Sequence, residues 1–298
     1  MTDSKKFVEE RFELLRQQYP EKVVKPDVVK RLINFKMSNT NKNMNNYINE
    51  LYLEYIYALD SLDEEALKRY LKVLKNADVR DNQKLENIDS FLISIYLESE
   101  KIHAIDNAIK KDNLTEKDIS NLHAKLLKGT PTEESSSSYR NHNRSYVGYY
   151  DNQKCNEVIN FFPLDYRKIK PAMEEFTDYF NEEEKDTSKL FIKPFTIHGI
   201  ISSLQVFDDG NTRLGRLLQN VKLYKQTNSM LGKKYDKPIL YITKQYFPQR
   251  ATYRSLIEEM VKNPDDDNIN RWIGFNIDQA NSAIDMATDN IEKIKILK

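Results

Sequence analysis

Residues 197–218 read IHGIISSLQVFDDGNTRLGRLL. An apolar helical run reaches Phe207, and Asp208-Asp209-Gly210-Asn211 interrupts it. This predicts a buried helix ending at Phe207, a four-residue loop, and a new helix from about Thr212. Such a helix start turns unpaired backbone N–H groups and the positive end of its dipole toward the loop, a ready anion site. Arg213 and Arg216 stand at i,i+3 and share a face near that end. Asp209 offers a hard carboxylate oxygen, the type Mg²⁺ takes beside phosphate oxygens. Asn211 tolerates left-handed geometry and can hydrogen-bond an anion. Together these residues suit a nucleoside polyphosphate. They equally suit a capped helix with two solvated arginines. Gly210-x-x-x-x-Gly215 imitates the start of a P-loop. Arg216 and Leu217 then stand where Lys and Ser/Thr are required, and no strand leads in.

Around this stretch the chain has 298 residues, with 46 Lys+Arg balancing 46 Asp+Glu. Zero net charge gives no global field for nucleic acid or anionic lipid, so neither is an expected partner. An apolar fraction of 39% supports a real core under a heavily charged surface. The one cysteine, Cys155, excludes a disulfide framework and a multi-thiolate zinc site. No apolar leader and no run of ~18 apolar residues is present, so the expectation is a soluble cytoplasmic protein.

No glycine precedes Gly129, and no proline falls between Pro26 and Pro131. That predicts helices joined by short polar turns. Helices are expected over 3–19, 26–35 and 40–60, then from a Ser61/Glu64 capping box to about Leu74, and again from near Asn82 through Ile102. Thr115-x-x-Asp118 opens a short helix that stops at Gly129. Residues 144–163 carry the one hairpin signal. Further helices are expected from Pro171, from about Ser188, from Thr212 to Asn228, over Pro248–Val261 and over Ile269–Leu297, with a short element between Pro238 and Pro248. Most tyrosines sit at helical spacing and read as packing. Lys75 and Lys233-Lys234 read as solvated charge, and Asp265-Asp266-Asp267 as an acidic helix start. His103, His123 and His142 have no metal-site spacing.

At Gln205-Val206-Phe207-Asp208-Asp209-Gly210-Asn211-Thr212-Arg213-Leu214-Gly215-Arg216 the chain resembles the Fic (Fido) family signature H-P-F-x-[D/E]-G-N-G-R-x-x-R. Phe207, Asp209, Gly210, Asn211, Arg213 and Arg216 match, while Val206 and Thr212 replace proline and glycine. Tyr139-Arg140 through Gly148, then Asn160-Phe161-Phe162, resemble the family's target-holding flap. Phe195–His198 resembles the apolar lead-in to the motif, and Leu240–Leu256, with Arg250 and Tyr253, the segment bordering the adenine. The likeness covers about 85–297. It implies an all-α, Fic-like helical core with one small β-hairpin flap, over 81–298, after an N-terminal helical segment over 1–80.

The resemblance further implies transfer of AMP from Mg²⁺-bound ATP to a hydroxyl of a protein target. Asp209 would hold the metal. Gly210, Asn211 and Arg213 would cradle the α- and β-phosphates, and Arg216 would reach the γ-phosphate. Thr212, Gly215, Arg250 and Tyr253 complete the implied nucleotide site. A homodimer is compatible with this reading. Ser94-Ile-Tyr-Leu-Glu98-Ser99, within an expected helix near 85–103, resembles the family's inhibitory pattern, in which Glu98 would compete for Arg216.

Gln205 occupies the position of the family's general-base histidine. A neutral amide cannot accept a proton at working pH, and losing a positioned base costs ~10²–10⁴ in rate. The expectation is an impaired transferase or, alternatively, a catalytically inactive nucleotide-binding regulatory module. His198 lies seven residues upstream, ~10 Å along a helix, too far to substitute. It reads as a satisfied helix histidine.

Overall fold

The computed structural model describes residues 3–85, 104–130, 132–135, 137–151, 153, 155–232 and 235–296. The breaker-poor first third forms α1 (Asp3–Gln18), α2 (Val28–Asn34), α3 (Asn39–Asp60) and α4 (Glu64–Leu85). A short helical stretch at 104–109 precedes α5 (Glu116–Leu127). Strands β1 (Val147–Asp151) and β2 (Asn156–Phe161) pair antiparallel, from Gly148 opposite Ile159 to Asp151 opposite Asn156. Then come α6 (Ile169–Asn181), α7 (Ile192–Leu204), α8 (Asn211–Met230), α9 (Thr243–Tyr246), α10 (Arg250–Lys262) and α11 (Asp266–Ile296). The fold is thus mainly helical with one small two-stranded sheet, as the breaker pattern and the hairpin signal predict.

Several boundaries differ from expectation. Asp63, not Ser61, caps α4, because its Oδ1 accepts from the Ala66 N–H at 2.8 Å. Ser61 instead turns its hydroxyl back to Ala58 O and closes α3. α4 continues unbroken to Leu85, past the expected stop near Leu74 and the expected restart at Asn82. The capping box at Thr115 and Asp118 is present in both halves. α7 ends at Leu204 rather than Phe207, and α8 begins at Asn211, so the loop between them is 205–210. Lys75 is buried, not solvated, with Nζ 2.7 Å from Asp106 Oδ2. Ser94 and Glu98 lie outside the described residues.

The core is built around α7, every residue of which is buried. A helix apolar on all sides belongs at the centre of such a domain. α8 folds back along it at close range. Gly215 makes this approach possible: a Cβ there would lie 2.9 Å from His198 Cδ2 and 3.1 Å from His198 O. α11 lays Trp272 against α7, donating its indole N–H to Phe195 O at 3.0 Å. Full burial of such a large side chain stabilises by ~2–3 kcal/mol. α3 adds Ile48, Tyr52 and Tyr55 to the same cluster, and Tyr52 Oη lies 3.0 Å from Thr227 Oγ1. Residues before and after position 80 therefore share one continuous core. Among the described residues, no helix is long and apolar enough to cross a membrane.

Candidate functional site

The loop at 205–210 is where α7 must stop. Gln205 adopts left-handed geometry, with φ 50° and ψ 56°. That conformation costs a non-glycine residue ~1–2 kcal/mol. Local bonds offset the cost. Gln205 Nε2 donates to Ser202 O at 2.7 Å, and its Oε1 accepts from Asn211 Nδ2 at 3.0 Å. Its backbone oxygen accepts from Arg140 Nε at 2.8 Å. Asn211 braces the loop from the other side: its Oδ1 accepts from the Phe207 N–H and its Nδ2 donates to Phe207 O, both at 2.9 Å. The side chain of Asn211 is therefore committed to the turn.

α5 supplies the floor. The ring of His123 stacks on Phe207, with centroids 3.7 Å apart and planes within 10°. Its Nε2 lies 2.7 Å from Asp209 O. A carbonyl only accepts, so Nε2 carries the proton. Gly210 then turns the chain at φ 76°, where an added Cβ would lie 2.9 Å from Leu127 Cδ2 and 3.1 Å from His123 Nε2. Gly210 also leaves the start of α8 without a side-chain cap, so its first N–H groups point at the loop.

Arg213 and Arg216 leave this helix start in different directions. Arg213 is buried and donates from Nη2 to Asp209 Oδ2 at 2.8 Å. Its Nε and Nη1 are buried with no hydrogen-bond partner among the described residues. Buried N–H groups are costly to leave unmet, so an acceptor placed beside them would be held there. Asp209 is half-exposed; Oδ1 accepts from the Gly210 N–H and Oδ2 from Thr132 Oγ1. Burial raises its pKa, but the charge of Arg213 and the Gly210, Thr132 and Arg213 hydrogen bonds outweigh it. The carboxyl ends below its ordinary value.

Arg216 is fully buried and points to α10, with Nη1 donating to Tyr253 Oη at 3.3 Å. Burial and the charge of Arg216 push the pKa of nearby His198 down to about 3, so the ring is neutral. The same guanidinium faces Asp78 on α4, a buried acid whose pKa is pushed up to about 7, chiefly by desolvation.

The structure thus brings Gln205, Asp209, Gly210, Asn211 and Arg213 to one turn. Thr212 follows them half-buried, and Arg250 opens α10, also half-buried. Gly215 faces His198 and Ser202 on α7, where a Cβ would lie 2.9 Å from His198 Cδ2 and 3.2 Å from Ser202 Oγ. Tyr253 is 3% exposed, and its hydroxyl is used inward. Phe161 and Phe162 are core residues, and Phe162 joins the N-terminal segment through Lys22 O and the Val24 N–H. Of the three expected flap residues only Asn160 keeps partial exposure. His123, Thr132 and Arg140 were not expected at the turn, because their partners are remote in sequence. Among the described residues no group of three His, Cys, Asp or Glu could hold a metal.

A family model described as the Fic/DOC family matches residues 113–223, a span that contains the whole turn. No curated protein matches the chain in sequence. Solved structures do resemble it. A Fic family protein from Desulfovibrio desulfuricans G20 aligns with a TM-score of 0.64 at 17% identity, covering 86% of this chain and 76% of that one. A Fic domain containing signaling protein from Bacteroides thetaiotaomicron VPI-5482 aligns at 0.58 and 15% identity, covering 83% and 97% respectively. Fic-1 from C. elegans aligns at 0.53 and 15% identity, covering 85% and 73%. At these identities the likeness is one of fold. Residues 113–223 match the Fic/DOC family model, and the chain around them has the fold of the solved Fic proteins.

Proposed function

We propose that this chain binds Mg²⁺-ATP at the 205–216 turn and transfers AMP to a hydroxyl of a protein target, at a rate limited by Gln205. The observation that carries the reading is Arg213, a buried guanidinium with Nε and Nη1 unsatisfied beside an uncapped helix start. Separate phosphate oxygens can satisfy each of them, through charge-assisted bonds. The side chain of Asn211 is committed to Phe207 and Gln205, so its backbone N–H, with those of Thr212 and Arg213, is what faces the anion.

The donor set fits a magnesium ion, which takes one or two carboxylates and completes its shell with phosphate oxygens and water. Asp209 would hold it, exchanging its contact with Arg213 for the cation. Bound there, the ion would neutralise charge on the phosphates.

In the transfer, the target oxygen forms a bond to the α-phosphorus as the bond to the bridging β-oxygen breaks and pyrophosphate leaves. The helix start and Arg213 would stabilise the charge that develops. The hydroxyl proton finds no base at position 205 and would have to pass to solvent water. Gln205 Nε2 is a donor bound to Ser202 O, and Oε1 already accepts from Asn211. Oε1 can orient the hydroxyl but cannot take its proton. This same commitment of the amide favours the second reading, a nucleotide-binding regulatory module without turnover.

ATP labelled at the α-phosphate separates the two. Label on protein with the native chain supports slow transfer, and label that arises only in Gln205→His supports a disabled transferase. Binding without label in both forms supports the module. Failure of both forms to bind Mg²⁺-ATP would sink the nucleotide reading.

A further inference from the structure

We propose that His198 is a positioning residue that aims Arg216 at the terminal phosphates through Tyr253, and so sets the preference for a nucleoside triphosphate over a monophosphate. The inference rests on the nucleotide reading above and extends it to side chains outside the turn.

The polarity of the contact chain can be read from the acceptors. Gln219 Oε1 lies 2.7 Å from His198 Nδ1. An amide oxygen only accepts, so Nδ1 carries the proton. The ring is neutral, so Nε2 is left as an acceptor. Tyr253 Oη lies 2.8 Å from that Nε2 and must donate to it. Its lone pairs then face Arg216 Nη1 at 3.3 Å. The contacts at Gln219 and at His198 thus fix where the Nδ1 and Tyr253 protons lie.

Packing holds every member. Arg216 and His198 are 0% exposed, Gln219 1% and Tyr253 3%. His198 meets Trp272 edge-on at 5.1 Å, and Gly215 presses against its other side. The far end is anchored as well: Tyr246 Oη lies 2.6 Å from Asn276 Oδ1, and Asn276 Nδ2 donates to Trp272 O at 2.7 Å. A tyrosine oxygen suits this task because it fixes the direction of a guanidinium without neutralising its charge. Arg213, by contrast, is held by the carboxylate of Asp209 in the turn itself. The two arginines thus have separate supports, and disturbing one support leaves the other.

The test compares Mg²⁺-ATP and AMP affinities by calorimetry. Arg216→Ala should reduce ATP affinity and leave AMP affinity within about twofold. His198→Phe should lower ATP affinity about tenfold with AMP within about twofold, the scale of one lost charged hydrogen bond. His198→Gln, whose Oε1 can occupy the Nε2 position, should recover most of the loss. On an Arg216→Ala background, His198→Phe should cost no further ATP affinity. If His198→Phe does not fold, Tyr253→Phe removes only the linking hydroxyl and should give the same pattern. Equal losses for ATP and AMP, or an added loss on the Arg216→Ala background, would overturn the positioning role. A wild-type chain that does not prefer ATP to AMP would overturn this inference and the nucleotide reading together. Preference lost in Arg216→Ala but kept in the His198 and Tyr253 variants would overturn this inference alone.

Discussion

Gln205 Oε1 accepts a hydrogen bond from Asn211 Nδ2 at 3.0 Å, and this contact ties the end of α7 to the start of α8. The residue at the expected base position is therefore part of the scaffold of the turn. Gln205→Ala should remove this bond and the one to Ser202 O, and lower stability by ~1–2 kcal/mol in denaturant unfolding. Gln205→His should raise transfer of labelled AMP by ~10²–10⁴, the usual worth of a positioned base. An unchanged rate with intact nucleotide binding would favour the module without turnover.

Gly210→Ala should damage both the turn and the site. Its φ of 76° disfavours a side chain, and the new Cβ would press on Leu127 and His123. The expected cost is ~1–3 kcal/mol of stability. Nucleotide affinity should fall with it, because the first N–H groups of α8 would move. Calorimetry and thermal unfolding on one sample check both effects.

Arg140 is the clamp between the approach to the hairpin and the turn. It is 4% exposed and donates to Gln205 O, His142 O and Leu164 O, with its backbone N–H on Val206 O. Burial lowers its pKa to about 10, still charged at neutral pH. Arg140→Ala should strand three carbonyls and cost ~2–4 kcal/mol. Arg140→Lys should recover only part, since one ammonium cannot span the fork. A loss below ~0.5 kcal/mol would show that water replaces the guanidinium freely.

Asp78 gives a pH signature of definite sign. Its folded pKa is raised to about 7 from an ordinary 3.8, chiefly by desolvation. A raised acid contributes stability that is present below the ordinary value and lost as pH rises toward the folded one. Asp78→Asn stays neutral throughout. The variant should therefore gain thermal stability relative to wild type between about pH 4 and 7, with the largest gap above pH 7. A gap that narrows with rising pH would show that Arg216 and its other neighbours hold the carboxylate ionised.

Much of the architecture was legible in residue order. The run without glycine or proline between Pro26 and Gly129 became α2–α4 and α5, and the aromatic stretches at 144–163 became the hairpin. Thr115 and Asp118 formed both halves of their capping box. These features depend on neighbours within one helical turn or one hairpin, so local chemistry decides them. The Ser61 cap failed because Asp63 competes at the same end and stands nearer the first turn. The stop at Phe207 failed because Gln205 entered left-handed geometry, a state that its side-chain bonds and Arg140 support.

By itself the sequence determined that the fold is helical, where its turn lies, and which acidic and basic groups that turn carries. Only the tertiary structure decided what those groups do. Arg140 reaches Gln205 across 65 residues, and His198 reaches Tyr253 across 55. Such pairings leave no periodic trace along the chain, since they depend on which helix faces meet once the apolar surfaces are buried. Burial also assigned the roles: it left Arg213 short of acceptors, kept His198 neutral, and turned Gly215 into the point where α7 and α8 touch.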